Sequence, residues 1–395
     1  MLEFFSASTR IVNSRRGITE CMESALGGDV SNCDLVIINA SIGHNFSELT
    51  DQVKQLAPNA KVVAASCCGI VGKEGVSESM KDIAIMAVRG KEFAIAHSDG
   101  IYGHNSYNKC LEIANDLYSQ NKSINMIYFL ATGIDIDNDA CISAIEKVFG
   151  SEVTVFGATS SDNMRGVLSY QAVETHVFEH AAFMVGFYDP ALEIDTQAIH
   201  GFKAIGDPMT VTKSDGYKIV EIDGEPAWPK LLNKLGLNAD ATCGESIPIG
   251  ALAERLSPEQ ANEYGNEYIL RVVTHHEGDT ILYATTIKEG TKLWLTIRNE
   301  DLIFDSMDEM VKKMTARISG RKLVAMFHAD CLARGRFLFN RILKEELVSR
   351  MQYPFSEGGV CPPWLGMYGF GEFAKLGGKN TYHNYTTALF AIYRK

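Results

Sequence analysis

The feature that most constrains this chain is a supersecondary unit that its sequence writes three times. Each copy reads as a short β-branched strand, a small-residue loop, an amphipathic helix, a second strand, a glycine-marked turn and a closing strand. The first copy opens at Asp34-Leu-Val-Ile-Ile-Asn-Ala40 and closes at Asp82-Ile-Ala-Ile-Met-Ala-Val88. The second opens at Asn125-Met-Ile-Tyr-Phe-Leu-Ala-Thr-Gly133 and closes at Ala181-Ala-Phe-Met-Val-Gly-Phe-Tyr188. The third opens at Lys322-Leu-Val-Ala-Met-Phe-His328 and closes at Thr386-Thr-Ala-Leu-Phe-Ala-Ile-Tyr393. Internal repetition fixes architecture before any single motif does, and it makes the loops after the first strands equivalent places for a ligand.

Spacing predicts the helices. Phe46, Leu49, Val53 and Leu56 share a face behind an Asn45–Glu48 capping box. Ile142, Ile145 and Phe149 repeat that face, with Gly150 as its stop, and Phe339, Leu343 and Leu347 repeat it again. Further helices are predicted at Tyr107–Tyr118 and Ile303–Ile318, the latter carrying an Ile303, Met307, Met310, Met314 stripe that reads as core. Val211–Gly216 reads as a turn, and Leu237–Asn266 as irregular apart from a helix start at Ser257. Strands alternate with helices, yet several are joined by hairpins. The expected fold class is therefore mixed α/β: two lobes of repeated strand-helix-strand-hairpin units with mixed sheets covered by helices. A length of 395 residues suits two domains, with the division expected after Ile222, giving 1–222 and 223–395.

Composition narrows the function classes. The formal net charge is -12 and no basic cluster stands out, so a nucleic-acid partner is not expected. No run of about 18 apolar residues suggests a membrane span, and the N-terminus lacks the basic residues of a signal peptide. Nine cysteines without Cys-x-x-Cys spacing point to neither a disulfide framework nor structural zinc, which fits a cytoplasmic protein.

Three stretches carry candidate chemistry. In Phe327-His-Ala-Asp-Cys-Leu-Ala-Arg-Gly335, a loop from strand to helix start would present backbone N–H groups to an anion. There Arg334 would clamp a carboxylate or phosphate, and the Cys331 thiol would be acidified. In Trp364–Glu372 and Lys379–Thr387, the polar Glu372, His383, Asn384 and Thr386 sit inside an apolar hairpin, as in a ligand pocket with few directed hydrogen bonds. The third stretch, Ala65-Ser-Cys-Cys-Gly69, has its counterpart in Phe156–Asn163. It offers Cys67 as a nucleophile, while Asp162 and Asn163 read as turn residues. Histidine spacing gives no zinc motif. A haem needs only one axial side chain, for which His383, His328 and His200 are available, together with the Cys361-Pro362 pair.

At these residues the chain resembles the FIST sensory family, whose paired modules are FIST N and FIST C. The N-terminal resemblance lies in Ala65–Gly72, Phe156–Asn163, Gly201–Gly206, Val211-Thr-Lys213 and Ile222–Ala227. The C-terminal resemblance lies in Cys331–Gly335, Leu365–Glu372 and Tyr382–Thr386. His328-Ala-Asp330 stands where small residues are commoner in the family, and Tyr385 where glutamine is. The resemblance implies a stand-alone, non-catalytic sensor whose small ligand binds through the C-terminal module. That ligand would be an amino-acid-like metabolite, or haem b responding to nitric oxide. It also implies a separate signalling partner, a histidine kinase or a cyclic-di-GMP enzyme. The implied ligand-binding residues are Cys331, Arg334, Gly335, Tyr368, Glu372, His383, Asn384 and Thr386, with His383 as the haem iron ligand. The rival expectation is a thiol-dependent enzyme using Cys331 or Cys67.

Overall fold

The computed structural model describes residues 1–283, 285–334 and 339–395, with only the backbone described at residue 274. The threefold repetition is realised as three sheets of identical strand order. Unit one comprises β1 (Glu3–Thr9), α1 (Ser14–Leu26), β2 (Leu35–Ser41), α2 (Phe46–Leu56) and β3 (Lys61–Cys67), then the hairpin β4 (Ile70–Gly72)/β5 (Gly75–Ser77) and β6 (Ile83–Arg89). Unit two repeats this with β7 (Phe93–Asp99), α3 (Ser106–Gln120), β8 (Met126–Ala131), α4 (Asn138–Phe149) and β9 (Thr154–Thr159). It ends with the hairpin β10 (Gln171–Val173)/β11 (His176–Phe178) and β12 (Ala181–Phe187). Unit three begins with β13 (Leu192–Ile199) and is then interrupted by an inserted lobe.

That lobe contains β14 (Phe202–Asp215), β15 (Lys218–Ile222), β16 (Glu225–Pro226), α5 (Ala227–Leu235), α6 (Cys243–Ser246) and β17 (Ala251–Arg255). It continues through α7 (Pro258–Tyr264), β18 (Tyr268–Arg271), β19 (Val273–Glu277), β20 (Thr280–Tyr283) and β21 (Lys292–Arg298). Unit three resumes with α8 (Glu300–Arg317), β22 (Leu323–Cys331), α9 (Arg341–Gln352) and β23 (Trp364–Gly369). The hairpin β24 (Gly371–Leu376)/β25 (Lys379–His383) and β26 (Thr387–Arg394) complete it. The result is the expected two-lobed, mixed α/β architecture.

Each unit lends its hairpin to another. The sheets run β1-β6-β2-β3-β10-β11, β7-β12-β8-β9-β24-β25 and β13-β26-β22-β23-β4-β5. Unit one is thus completed by unit two, unit two by unit three, and unit three by unit one. Within each sheet the crossover pair is parallel (β2–β3, β8–β9, β22–β23) and the other pairings are antiparallel. Both faces of the central strands are buried, which accounts for the near-continuous apolar runs in the sequence. Leu35 and Ile37 join a core shared by all three sheets, whereas Val36 and Ile38 pack under α1 and α2. At the centre of the shared core Phe156 lies 5.5 Å from Tyr128, 5.5 Å from Phe327 and 5.4 Å from Phe390, ring to ring. The methionine stripe of α8 is buried, as its spacing indicated.

The inserted lobe is a sheet of order β18-β17-β21-β14-β15-β20-β19, with β16 on β15. The division after Ile222 falls inside it, at the β15–β16 turn. Two readings are corrected here. Val211–Asp215 is not a turn but the end of the 14-residue β14, held on one side by β15. The stretch read as irregular contains β17, which pairs with both β18 and β21. Ala251, Leu252 and Ala253 are too short and too uniformly small or apolar to show a period.

Because Phe156 joins rings from two sheets, Phe156→Ala is expected to cost about 3–5 kcal/mol. Urea denaturation checks this, and a single transition for wild type and variant alike would show that the three sheets melt together.

Candidate functional site

The end of β22, the β24–β25 hairpin and the inserted lobe converge on one buried cluster of polar side chains, the polar chamber of the molecule. β22 runs three residues further than the sequence suggested, so His328, Asp330 and Cys331 are strand residues rather than loop. Its helix begins only at Arg341, where Asn340 accepts from the Leu343 N–H. Among the described residues no helix starts at Arg334, and anion recognition there falls to its side chain. Gly335 lies outside the described residues.

Arg334 is 1% exposed. Its Nε lies 3.1 Å from Asp330 Oδ1, yet off the hydrogen-bonding line. Among the described residues Nε, Nη1 and Nη2 all lack an acceptor. A buried cation left in this state costs several kcal/mol. The two Nη groups are free to hold a carboxylate or phosphate in bidentate fashion. Asp330 itself lies 3.6 Å from His328 Nε2, which is 2.8 Å from the Thr387 hydroxyl.

Glu372 and His383 are register partners on β24 and β25. Glu372 is fully buried, and both of its oxygens lack a hydrogen-bond partner among the described residues. Burial raises its pKa well above the usual carboxylate range, Asp330 raises it further, and Arg334 pulls it partly back. The group is poised to donate a proton to an acceptor, or to ionise beside an arriving cation. His383 is 1% exposed with neither ring nitrogen partnered, and burial lowers its pKa to about 3, helped by Arg271. Its imidazole is neutral. Tyr264 closes one side, its ring 5.4 Å from that of His383 and its hydroxyl 2.9 Å from Thr386 Oγ1.

The remaining expected residues divide by what already occupies them. Asn384 uses its amide to join segments: Oδ1 accepts from Val272 N at 3.2 Å, and Nδ2 donates to Phe370 O at 3.1 Å. Thr386 donates to Asn384 O. Tyr368 is buried opposite Asp330 in the β22–β23 register. His200 is fully used, with Nδ1 accepting from Phe202 N and Nε2 on Tyr268 O, and burial lowers its pKa to about 4.

The fold does not favour the acidified thiol expected at Cys331. Burial and Glu372 push the Cys331 pKa well above its ordinary value, and burial likewise raises that of Cys67, the reverse of an activated nucleophile. Cys361, before β23, is raised to about 11 by burial. Asp162 is a turn residue, as expected, accepting from the N–H groups of Arg165, Gly166, Val167 and Leu168. Among the described residues no group of three or more His, Cys, Asp or Glu is placed to hold a metal ion.

Sequence reading missed Asp330, Arg271 and Tyr264 as members of this chamber. The i, i+4 spacing of Asp330 and Arg334 was an available signal. Arg271, which bonds Glu254 Oε1 and Tyr382 O at 2.8 Å each, and Tyr264 arrive from the inserted lobe, and nothing local in the sequence announces that.

Comparison with known proteins places this geometry in a family. Two uncharacterized mycobacterial proteins, from Mycobacterium bovis and Mycobacterium tuberculosis, are each 24% identical over 213 residues. The match covers 52% of this chain and 52% of each relative, so the chain spans about half the length of the curated relatives it matches. Among solved structures, a cyanuric acid hydrolase superposes over 100% of this chain and 99% of its own, with TM-score 0.36 and 9% identity. A second, from A. caulinodans, gives TM-score 0.35 and 7% identity. Likeness at that level carries no argument. No helix among the described residues is long and apolar enough to cross a membrane. Residues 34–225 match the FIST N domain and residues 230–375 the FIST C domain, and the chain belongs to the FIST family.

Proposed function

We propose that this chain is a cytoplasmic sensory module that binds a small carboxylate-bearing metabolite, such as an amino acid, in the Arg334–Glu372–His383 chamber. Occupancy would then be reported to a separate partner, a histidine kinase or a cyclic-di-GMP enzyme. Family membership supports ligand sensing in general. The observation that carries the ligand class is the buried guanidinium of Arg334 without an acceptor among the described residues. A carboxylate across Nη1 and Nη2 supplies the missing acceptors. Glu372 faces the other end of the ligand, where an ammonium or hydroxyl group would meet it. Signalling needs a ligand that binds one arrangement of the two lobes better than another. The Arg271–Tyr382 and Val272–Asn384 bonds tie the hairpin of the chamber to the inserted lobe and supply such a coupling path. The raised thiols of Cys331 and Cys67 weigh against the enzyme reading.

Haem b is a second reading, favoured by one observation: His383 is a neutral imidazole with both ring nitrogens unpartnered. As a donor it fits haem iron, which would supply the gas-binding position. A macrocycle at that depth requires Tyr264 to move off the His383 ring.

A thermal-shift screen of L-amino acids and short dicarboxylates tests the leading reading. At least one is expected to raise the melting temperature of the wild type, and Arg334→Ala to weaken its binding by about 1.5–3 kcal/mol. The pair Asp330→Asn/Arg334→Met removes both buried charges together. It should melt no lower than the wild type while losing the ligand response. No response to any carboxylate, or an equal response in the double variant, would remove Arg334 from ligand recognition. Titration with haemin tests the second reading: a Soret band that sharpens near one equivalent and is lost in His383→Gln supports it.

His383 also gives a pH prediction. Its folded pKa, about 3, lies below the ordinary histidine value of 6.5, so its contribution to stability is complete above pH 6.5 and lost as the pH falls toward 3. Between pH 7 and 5 the wild type should lose about 2 kcal/mol more stability than His383→Gln, measured by urea denaturation at each pH.

A further inference from the structure

The residues of the chamber are almost fully buried, with Arg334, His383 and Cys331 each at 2% exposure or less, so a ligand needs a way in. A groove lies on the surface where α9 meets the hairpin of unit one. Arg10, Val76, Ser77, Glu78, Ser79, Arg341, Lys344 and Glu345 line this groove, whose volume is about 260 Å³. At its floor Lys344 of α9 is ion-paired with Glu78 of the lent hairpin, and the two side chains are only 10% and 11% exposed.

Behind that pair stands Tyr368. The empty face of Gly69 shows how close the two layers are: a Cβ there would lie 2.9 Å from Glu78 Cγ and 3.0 Å from Tyr368 Cδ2. Tyr368 in turn is the register partner of Asp330, which holds Arg334. Burial and the negative charges of Asp330 and Glu78 together raise the Tyr368 pKa, consistent with a phenol between the two acids. Groove, ion pair, tyrosine and guanidinium thus lie in sequence from solvent to chamber. The C-terminal end of α9 is fastened to the same hairpin by Gln352 Nε2 donating to Gly72 O at 2.8 Å. That contact leaves the Lys344 end as the one that can part while the helix stays attached.

We propose that this groove is the entrance to the Arg334 chamber for a small anion and that the Lys344–Glu78 ion pair is its latch. Arg10 at the rim draws anions to the groove, beside an Arg341 that is paired with Glu345. Lys344, once released from Glu78, offers an anion a first contact before Arg334. The inference rests on the reading of the chamber as a ligand site, but its test needs no ligand.

Native cysteines report access. Cys331 lies in the chamber and Cys68 beside Tyr368, whereas Cys110 and Cys141 are on the buried faces of α3 and α4 of unit two. The full chain is treated with iodoacetate, a small carboxylate, and carboxymethylation at each cysteine is followed by peptide mass spectrometry. Glu78→Gln and Lys344→Met are expected to speed modification of Cys331, relative to Cys141, on the order of ten-fold. The charge-exchanged pair Glu78→Lys/Lys344→Glu is expected to restore the wild-type ratio. An unchanged ratio in both single variants, a parallel rise at Cys110 and Cys141, or failure of the exchanged pair to restore the ratio overturns the latch. Loss of the latch leaves the chamber as a ligand site untouched. A null carboxylate screen with a positive alkylation result would instead remove the ligand and keep the passage.

Discussion

The exchange of hairpins is the constraint on which the rest of the structure depends. No sheet in the large lobe is complete with strands of its own unit. β3 is covered by β10, β9 by β24 and β23 by β4, through backbone ladders that cannot form inside one unit. Each ladder removes an unpaired strand edge and at the same time fixes the angle between two sheets. The shared apolar core, with Phe156 against two rings of the third sheet, is a consequence of that closure. So is the chamber, because Glu372 and His383 belong to the hairpin that unit three lends to unit two, whereas Arg334 stays with its own sheet.

Near-symmetry of the backbone sits beside a strong asymmetry of chemistry. Around the equivalent strand ends of units one and two most of the polar groups satisfy one another, the amide of Asn39 in β2 being an exception. Ser66 Oγ donates to Ser161 O, Ser161 Oγ donates to Tyr368 O, and Ser160, Ser169 and Gln171 close a small network. The third unit places Asp330, Arg334 and Glu372 in the corresponding region and leaves guanidinium and carboxyl without hydrogen-bond partners among the described residues. Native interiors rarely tolerate such groups. Their concentration falls in the one unit that also carries an inserted lobe.

Much of this was legible in the chain. The three copies, their helices and the mixed character of the sheets follow from periodicity, since buried central strands and amphipathic helices leave strong local signals. Arg334, Glu372 and His383 stood out as polar residues in apolar surroundings. What could not be read was which hairpin serves which sheet, because Ile70–Gly72 carries no mark that it pairs with Leu365–Met367 rather than with its own neighbours. The same non-locality hid Tyr264 and Arg271. It also misled the reading of Cys331: proximity to an arginine in sequence suggested an acidic thiol, but the fold buries that thiol against Glu372.

Hairpin exchange also sets a timetable for biosynthesis. β9 ends at Thr159, and the strand that covers it starts only at Gly371, so a nascent chain carries an open, apolar β9 edge until its last strands emerge. At ordinary translation rates that interval is roughly 10–40 s, far longer than local helix or hairpin formation. The second unit therefore leaves the ribosome as an unfinished sheet, whereas the first is already closed by β10 and β11. The hairpin that seals the lobe also carries Glu372 and His383, so completion of the fold and assembly of the buried polar cluster are one event.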